Sequence, residues 1–269
     1  MSRIQDKFSE LKSRNERALI AYAMAGYPSD KGTVSIVRSL VKGGADIIEI
    51  GLPFSDPLAD GPVIQSASFR ALQKGMNPER FLNIVKKIRS ETDIPLVLMT
   101  YANLLYNRGY DKFISTVKKA GIDGIILPDM AIEEADQYLD VIHKNNMDAI
   151  FLISPNTSNE RIRRIAKASS GFVYLVSVYG TTGGTQQKFQ QYTHDAIKNA
   201  KKILGEKMPL GVGFGVNNAD QARSILHTGA DAIIVASAFL RLIDKTSKAK
   251  IQGKIVSFAK SLKKTTISE

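Results

Sequence analysis

A carboxylate inside an apolar run, followed by a second carboxylate on a loop, is the first feature of this sequence that could do chemistry. The run from Ile47 to Ile50 is typical of a buried parallel strand, and Glu49 is the one acid within it. Turn-forming residues follow as far as Asp60, after which Pro62 can begin a new helix. Because a buried carboxylate without a partner is costly unless its protonation changes, Glu49 is a functional candidate.

An internal repeat marks Glu49 as an exception. The segment 43–50 resembles the segments 120–127 and 228–235, since each has a helix-ending glycine, a turn with an aspartate and an apolar strand. When the three segments are aligned on the aspartate, the position of Glu49 is occupied by Ile126 in one copy and by Ile234 in the other. The strand therefore favours an aliphatic residue at this position.

The elements that must position these acids alternate between strand and helix eight times. The chain has 269 residues, close to the length of a (β/α)8 barrel, so we predict an α/β fold, a TIM barrel with an extra N-terminal helix, as a single domain over residues 1–269. A doubly wound open sheet is the alternative, and the eightfold count argues against it. The predicted strands are 18–24, 47–50, 95–101, 125–128, 148–153, 172–176, 210–213 and 232–235. The predicted helices are 3–15, 33–42, 62–74, 78–91, 111–120, 132–145, 159–168, 191–204, 219–227 and 249–263.

Active sites of such barrels lie at the carboxyl ends of the strands. No lysine falls inside a predicted strand, so a Schiff-base mechanism has no amine there. The three histidines lie on or beside predicted outer helices without metal-ligand spacing, and the chain has no cysteine, so no metal site is expected. Carboxylate acid–base chemistry in a pocket lined by aromatic residues remains. The predicted strand ends offer Tyr22, Glu49, Tyr101, Asp129, Tyr174, Ser177, Phe214 and Ser237.

Loops after the last three predicted strands indicate a phosphate site. Glycines let backbone N–H groups approach an anion, and a helix N-terminus adds a favourable dipole. Barrel phosphate sites lie after strands seven and eight. The alternative, that these glycines only serve turns, is less favoured because the loops occur at successive strand ends. The loops are 177–185, 211–215 and 236–238, and a short helix can start in the last of them.

The other acids and the net charge have plainer interpretations. Asp46, Asp123 and Asp231 precede strands at the bottom of the barrel and are interpreted as turn formers, whereas a functional and a structural role remain equally open for Asp129. The net charge of +11 could indicate nucleic-acid binding, but no such motif appears, so we favour a lysine-rich solvated surface. Without a membrane-spanning run or an apolar signal-peptide core, a cytoplasmic location is expected.

Residues 49–61, which read E-I-G-L-P-F-S-D-P-L-A-D-G, resemble the signature of the tryptophan synthase alpha chain family. The resemblance covers nearly the whole chain, with further matches at 101–103, 128–129, 133–134, 180, 182–183 and 213–215. It implies a carbon–carbon lyase of tryptophan biosynthesis, which cleaves indole-3-glycerol phosphate to indole and glyceraldehyde 3-phosphate by a retro-aldol reaction.

The resemblance also implies roles for single residues. Glu49 would protonate the indole ring carbon and handle the glycerol hydroxyl proton, and Asp60 would accept the indole N–H. Aromatic residues would line the indole pocket or lie beside Glu49, and backbone N–H groups of small residues would hold the phosphate. The implied substrate-binding residues are Tyr22, Tyr101, Asp129, Tyr174, Thr182, Gly183, Gly213, Phe214, Gly215, Ala236 and Ser237.

A partner is implied as well, a beta chain that carries pyridoxal phosphate and receives the indole in an α2β2 heterotetramer. The loop 53–60 and the region of Asn103 would face this partner, and no cofactor would belong to the present chain.

Two rival classes of function remain. One is another phosphate-binding barrel enzyme of the pathway, although a synthase of that kind would need a lysine at a strand end, which is absent. A non-enzymatic activator of a beta chain is the other, against which the intact Glu49 and Asp60 argue.

The sequence departs from the family pattern at four positions. Ala236 stands where many members have glycine, and Val178 where some carry arginine. Thr181 replaces a common valine, and Tyr22 a common phenylalanine. None of these departures removes a catalytic group.

Overall fold

The computed structural model describes residues 2–176, 186–213 and 216–267. Parallel strand segments form one sheet in the order β5-β4-β3-β2-β1-β9-β8-β7-β6. The strands are β1 (Ala18–Met24), β2 (Ile47–Gly51), β3 (Leu96–Met99), β4 (Gly124–Ile126), β5 (Asp148–Ile150), β6 (Leu152–Ile153), β7 (Val173–Val176), β8 (Leu210–Gly213) and β9 (Ala232–Val235). The α-helices are α1 (Arg3–Ser13), α2 (Asp30–Lys42), α3 (Pro62–Gln73), α4 (Pro78–Arg89), α5 (Ala102–Arg108), α6 (Tyr110–Ala120), α7 (Asp136–Lys144), α8 (Asn159–Ala168), α9 (Gln186–Leu204), α10 (Ala219–His227), α11 (Ser237–Asp244) and α12 (Ile251–Lys263).

The barrel closes through its broken fifth strand. Only Phe151 separates β5 from β6, and β5 pairs with β4 whereas β6 pairs with β7. The carbonyl of Phe151 accepts the N–H of Tyr174 at 3.0 Å, so the ladder continues across the break. The two ends of the strand order are thus joined by the chain itself. This confirms the predicted TIM barrel, and the open-sheet alternative is wrong.

The predicted N-terminal helix, α1, closes the amino-terminal end of the barrel. It begins with a capping box in which the side chains of Ser2 and Gln5 each accept the other's backbone N–H. Its apolar face places Ile4, Phe8 and Leu11 against the inward-facing strand residues. These three side chains are at most 8% exposed, and burial of one side chain of this size stabilises the fold by roughly 1.5–3 kcal/mol. That burial explains why a helix outside the eightfold repeat is present.

Tertiary contacts account for the differences from the predicted elements. The predicted strand 95–101 ends at Met99, and the unpredicted helix α5 begins at Ala102. The cap of α5 comes from another loop, where the Asp129 carboxylate accepts the Ala102 N–H at 3.0 Å, so no local signal announces this helix. The predicted helix 132–145 divides into a 3₁₀ turn (Ile132–Glu134) and α7. No helix in the described ranges is long and apolar enough to cross a membrane.

The three aspartates interpreted as turn formers also tie neighbouring strands together. Each carboxylate accepts a backbone N–H from the start of the adjacent strand and pairs with a cation from an outer helix. The N–H donors are Leu19 for Asp46 at 2.8 Å, Leu96 for Asp123 at 2.9 Å and Leu210 for Asp231 at 2.8 Å. The cations are Lys263, Arg89 and Lys201 in the same order. The repeat seen in the sequence therefore carries a repeated structural device.

We expect Asp123→Ala to lower the free energy of unfolding by about 3 kcal/mol or more, because it leaves the Leu96 N–H without its acceptor and the partly buried Arg89 without its counter-ion, at a site where the carboxylate is 4% exposed. Urea denaturation would measure this loss. The control Glu206→Ala breaks an exposed pair with Lys12 and should leave the urea midpoint nearly unchanged. Equal losses in the two variants would contradict the strand-tying role of Asp123.

Candidate active site

A cavity of about 790 Å3 lies at the carboxyl end of the barrel. This is the end at which barrel enzymes hold their active sites, and the volume suits a small organic molecule. Its polar lining residues are Glu49, Asp60, Ser154, Thr157, Arg161, Tyr174, Ser237 and Arg241. Its apolar lining includes Met99, Ile126, Phe151, Leu152, Val176, Val216 and Ile234. Both predicted catalytic acids therefore line the same cavity, which has an apolar interior.

Glu49 lies in the middle of β2 and is 1% exposed. Parallel pairing fixes it on both sides, opposite Tyr22 in β1 and Val97 in β3. Its Oε2 atom has no hydrogen-bond partner among the described residues. Burial, and then the negative charge of Asp60, raise the pKa of Glu49 to about 8. At neutral pH the side chain is therefore mostly protonated and can donate a proton and later take one back.

Asp60 lies on the loop between β2 and α3 and reaches the same cavity. Burial raises the pKa of Asp60 to about 6, although a hydrogen bond from the Tyr101 hydroxyl opposes the rise. At neutral pH Asp60 is mostly ionised while Glu49 is mostly protonated. Two acids whose environments separate their pKa values are suited to two different roles.

Tyr101 supports the loop that carries Asp60. Its ring stacks on Phe54 with a centroid distance of 5.2 Å, and its hydroxyl accepts the Ala59 N–H at 3.2 Å. The ring thereby contacts the beginning and the end of the loop. Tyr101 does not contribute to the cavity wall, and its predicted place in the indole pocket stays a prediction.

Two tyrosines flank Glu49, and two glycines make room for them. A Cβ atom at Gly51 would lie 2.0 Å from the Tyr22 hydroxyl, and one at Gly213 would lie 2.5 Å from the Tyr174 hydroxyl. Burial, with a smaller contribution from the nearby acids, raises the pKa of both tyrosines, so they remain protonated. Tyr174 lines the cavity, whereas Tyr22 lies outside its lining and its hydroxyl points to the Met24 sulfur at 3.7 Å.

The predicted phosphate side of the cavity includes Gly213, Ala236 and Ser237. Helix α11 begins at Ser237, which confirms the short helix expected there, and its N-cap residue, Ala236, has no side chain that could accept its first N–H groups. Free N–H groups at a helix N-terminus favour an anion. The predicted residues Thr182, Gly183, Phe214 and Gly215 lie outside the described residues.

The structure gives Asp129 a structural role, while its substrate contact stays a prediction, and it adds two arginines to the cavity lining. The exposed Asp129 caps α5 and is absent from the cavity wall. Arg161 and Arg241 line the cavity without having been singled out. The signal for Arg241 was its spacing, since it follows Ser237 by four residues and so lies on the same face of α11. Within the described ranges no group of three histidine, aspartate or glutamate residues could hold a metal ion.

The closed barrel with an acid pair in a cavity at its carboxyl end defines an enzyme of the (β/α)8 class. The sequence profile described as tryptophan synthase alpha chain matches residues 8–266. The alpha chain of Methanosarcina barkeri is 42% identical over 264 residues, which cover 97% of this chain and 96% of that relative. The chain therefore belongs to the tryptophan synthase alpha chain family, the lyase component of tryptophan synthase in tryptophan biosynthesis.

Solved structures agree with this assignment. The tryptophan synthase subunit alpha of Legionella pneumophila superimposes with a TM-score of 0.89 at 35% identity and 98% coverage of both chains. A chain of the tryptophan synthase complex of Pyrococcus furiosus superimposes with a TM-score of 0.83 at 33% identity, covering 92% of this chain and 98% of that one.

We expect Glu49→Gln to change how stability depends on pH. Because the pKa of Glu49 is about 8 in the folded chain against an ordinary 4.5, the folded state binds more protons than the unfolded state in this window, and its stability falls as the pH rises. Between pH 5 and pH 9 the wild type should lose about 4 kcal/mol relative to the variant. Urea unfolding at both pH values measures the difference, with Glu206→Gln as the exposed control. Parallel pH profiles for wild type and Glu49→Gln would contradict a raised pKa.

Proposed function

We propose that this chain cleaves indole-3-glycerol phosphate to indole and glyceraldehyde 3-phosphate by a retro-aldol reaction. The observation that carries the proposal is the pair of Glu49 and Asp60 in one cavity, with pKa values of about 8 and about 6. The apolar residues of the cavity suit an indole ring, and the N-terminus of α11 suits a phosphate. Membership of the family supports the same reaction.

The difference in protonation assigns the roles. Protonated Glu49 donates its proton to the indole ring carbon that bears the glycerol chain, and the positive charge that develops is shared with the ring nitrogen. Ionised Asp60 accepts the ring N–H and stabilises this charge. The carboxylate of Glu49 then takes the proton of the adjacent glycerol hydroxyl while the carbon–carbon bond breaks. Glu49 ends protonated as it began, so the reaction needs no net proton.

A buried site favours both proton transfers. With Glu49 1% exposed and held by ladders on both sides, its carboxyl group cannot relax into water between the two steps. Tyr174, protonated and lining the same cavity, remains beside it without competing for the proton. The phosphate contacts of Gly183 and Gly215, and the substrate contacts of Thr182 and Phe214, are part of the proposal by family resemblance.

A beta chain that carries pyridoxal phosphate is the proposed partner, in an α2β2 heterotetramer. The loop that bears Asp60 exposes Leu58 at 92%, and α5 exposes Tyr106 at 74%. These two apolar side chains lie in the two regions that the family resemblance assigns to the partner. The Pyrococcus furiosus structure is of a tryptophan synthase complex, which supports an assembly of this kind. The present chain would need no cofactor of its own.

Indole release from indole-3-glycerol phosphate by the purified chain, with and without a beta chain, tests the proposed function. Weak release that rises on adding the partner supports both the reaction and the complex. Release that the partner leaves unchanged would support a stand-alone lyase and overturn the complex. A folded chain that releases no indole under either condition would overturn the reaction itself.

We expect Glu49→Gln to abolish cleavage, because an amide can neither donate the proton to the ring carbon nor take the hydroxyl proton. The variant keeps the size of the side chain, so circular dichroism should show an unchanged fold. Turnover above a few per cent of the wild type would overturn the acid–base role of Glu49.

We expect Asp60→Ala to slow cleavage by about 100-fold, the usual effect of removing one group that stabilises developing charge. Binding of inorganic phosphate should change less than about twofold, since the phosphate lies elsewhere in the cavity. Asp56→Ala is the matched control, because Asp56 lies on the same loop, exposed, with its carboxylate bonded to the Ser55 hydroxyl. Equal loss of cleavage and phosphate binding in Asp60→Ala would indicate misfolding of the loop instead.

A further inference from the structure

The cavity contains a cation that the backbone-based phosphate site does not use. Arg241 lies in the second turn of α11, four residues after Ser237, and both residues line the cavity. Side chains of a helix lean toward its N-terminus, so the Arg241 side chain lies over the first turn of α11. The guanidinium is therefore on the side of the helix where the free N–H groups are.

A hydrogen bond orients this guanidinium. One terminal nitrogen of Arg241 donates to the side-chain oxygen of Asn217, which stands just before the N-cap residue of α10, Asn218. Arg241 thus bridges the loop after β8 and the helix after β9. These are the two places where the barrel architecture favours a phosphate.

Among the described residues Arg241 differs from the other cavity arginine, because its guanidinium has no carboxylate acceptor. Arg161 forms a two-pronged pair with Glu133 at 2.7 and 3.0 Å. Among the described residues no carboxylate forms an ion pair with Arg241, which donates a hydrogen bond to the neutral side chain of Asn217. A partly buried guanidinium without a counter-ion, next to a helix N-terminus, is a strong site for a doubly charged anion.

We propose that Arg241 is a direct ligand of the substrate's phosphate group and makes the site prefer phosphorylated over dephosphorylated ligands. The inference rests on the proposed function for the identity of the substrate. The guanidinium adds a charged, forked donor to the backbone N–H groups of α11, and Asn217 holds one arm of the fork so that the remaining N–H groups face the anion. Arg161 does not take part, because both arms of its fork already donate to Glu133.

The test compares a phosphate ester with its alcohol. Binding of 3-(indol-3-yl)propyl phosphate and of 3-(indol-3-yl)propanol to the full chain is measured by calorimetry for the wild type, Arg241→Gln and Arg241→Lys. We expect Arg241→Gln to weaken the ester by about 10- to 100-fold and the alcohol by less than twofold. Arg241→Lys should recover part of the affinity for the ester, since the charge remains and the fork is lost.

Two further variants separate this role from others. Lys245→Gln removes the same charge at the exposed C-cap of α11, outside the cavity lining, and should leave the affinity for the ester within about twofold. Asn217→Ala removes the orienting contact but keeps the charge, so it should weaken the ester less than Arg241→Gln does.

Each alternative outcome overturns the inference. Equal weakening of ester and alcohol by Arg241→Gln, or an equal effect of Asn217→Ala, would show that Arg241 only braces the loop. An unchanged affinity for the ester would show that it does not reach the phosphate. These results are independent of the indole-release assay. Failure of that assay with intact, Arg241-dependent ester binding would overturn the proposed reaction and leave the phosphate ligand in place.

Discussion

The cost of ionising Glu49 inside a closed barrel is the constraint on which the site depends. Two parallel neighbours hold β2 in place, so the side chain cannot turn toward solvent, and its pKa rises to about 8. Other features of the site accommodate this acid. Gly51 and Gly213 leave room for two tyrosines that remain protonated beside it, and Asp60 approaches on a loop rather than a strand. A proton donor at neutral pH follows from the backbone geometry.

The two ends of the barrel treat the same chemical group in opposite ways. At the amino-terminal end, Asp46, Asp123 and Asp231 each accept a strand N–H and pair with a cation. At the carboxyl end, Glu49 has an oxygen without a hydrogen-bond partner among the described residues. Carboxylates with hydrogen-bond partners hold strands together, whereas a buried carboxyl group with an unpaired oxygen is available for proton transfer. The division agrees with the general separation of stability and catalysis between the faces of such barrels.

Features that depend on the residues of one continuous segment were predictable. Features that depend on contacts between two distant segments were not. The eightfold alternation, helix α1 and the departure of Glu49 from its repeat are local patterns, and the structure confirms the first two. The break at Phe151, the support that Tyr101 gives to its loop and the capping of α5 by Asp129 depend on contacts between distant segments. The roles predicted for Thr182, Gly183, Phe214 and Gly215, and the single-domain organisation, stay predictions.

Helix α1 closes the amino-terminal end of the barrel and thereby determines how molecules reach and leave the cavity. Ile4 and Phe8 fill the amino-terminal end of the barrel. In the part of the chain that the structure describes, the cavity therefore opens at the carboxyl end alone. Whatever enters the cavity and whatever leaves it must therefore cross the same rim. Leu58 is exposed on the loop whose Ala59 and Asp60 line the cavity, so a protein that covered this loop would also cover the exit.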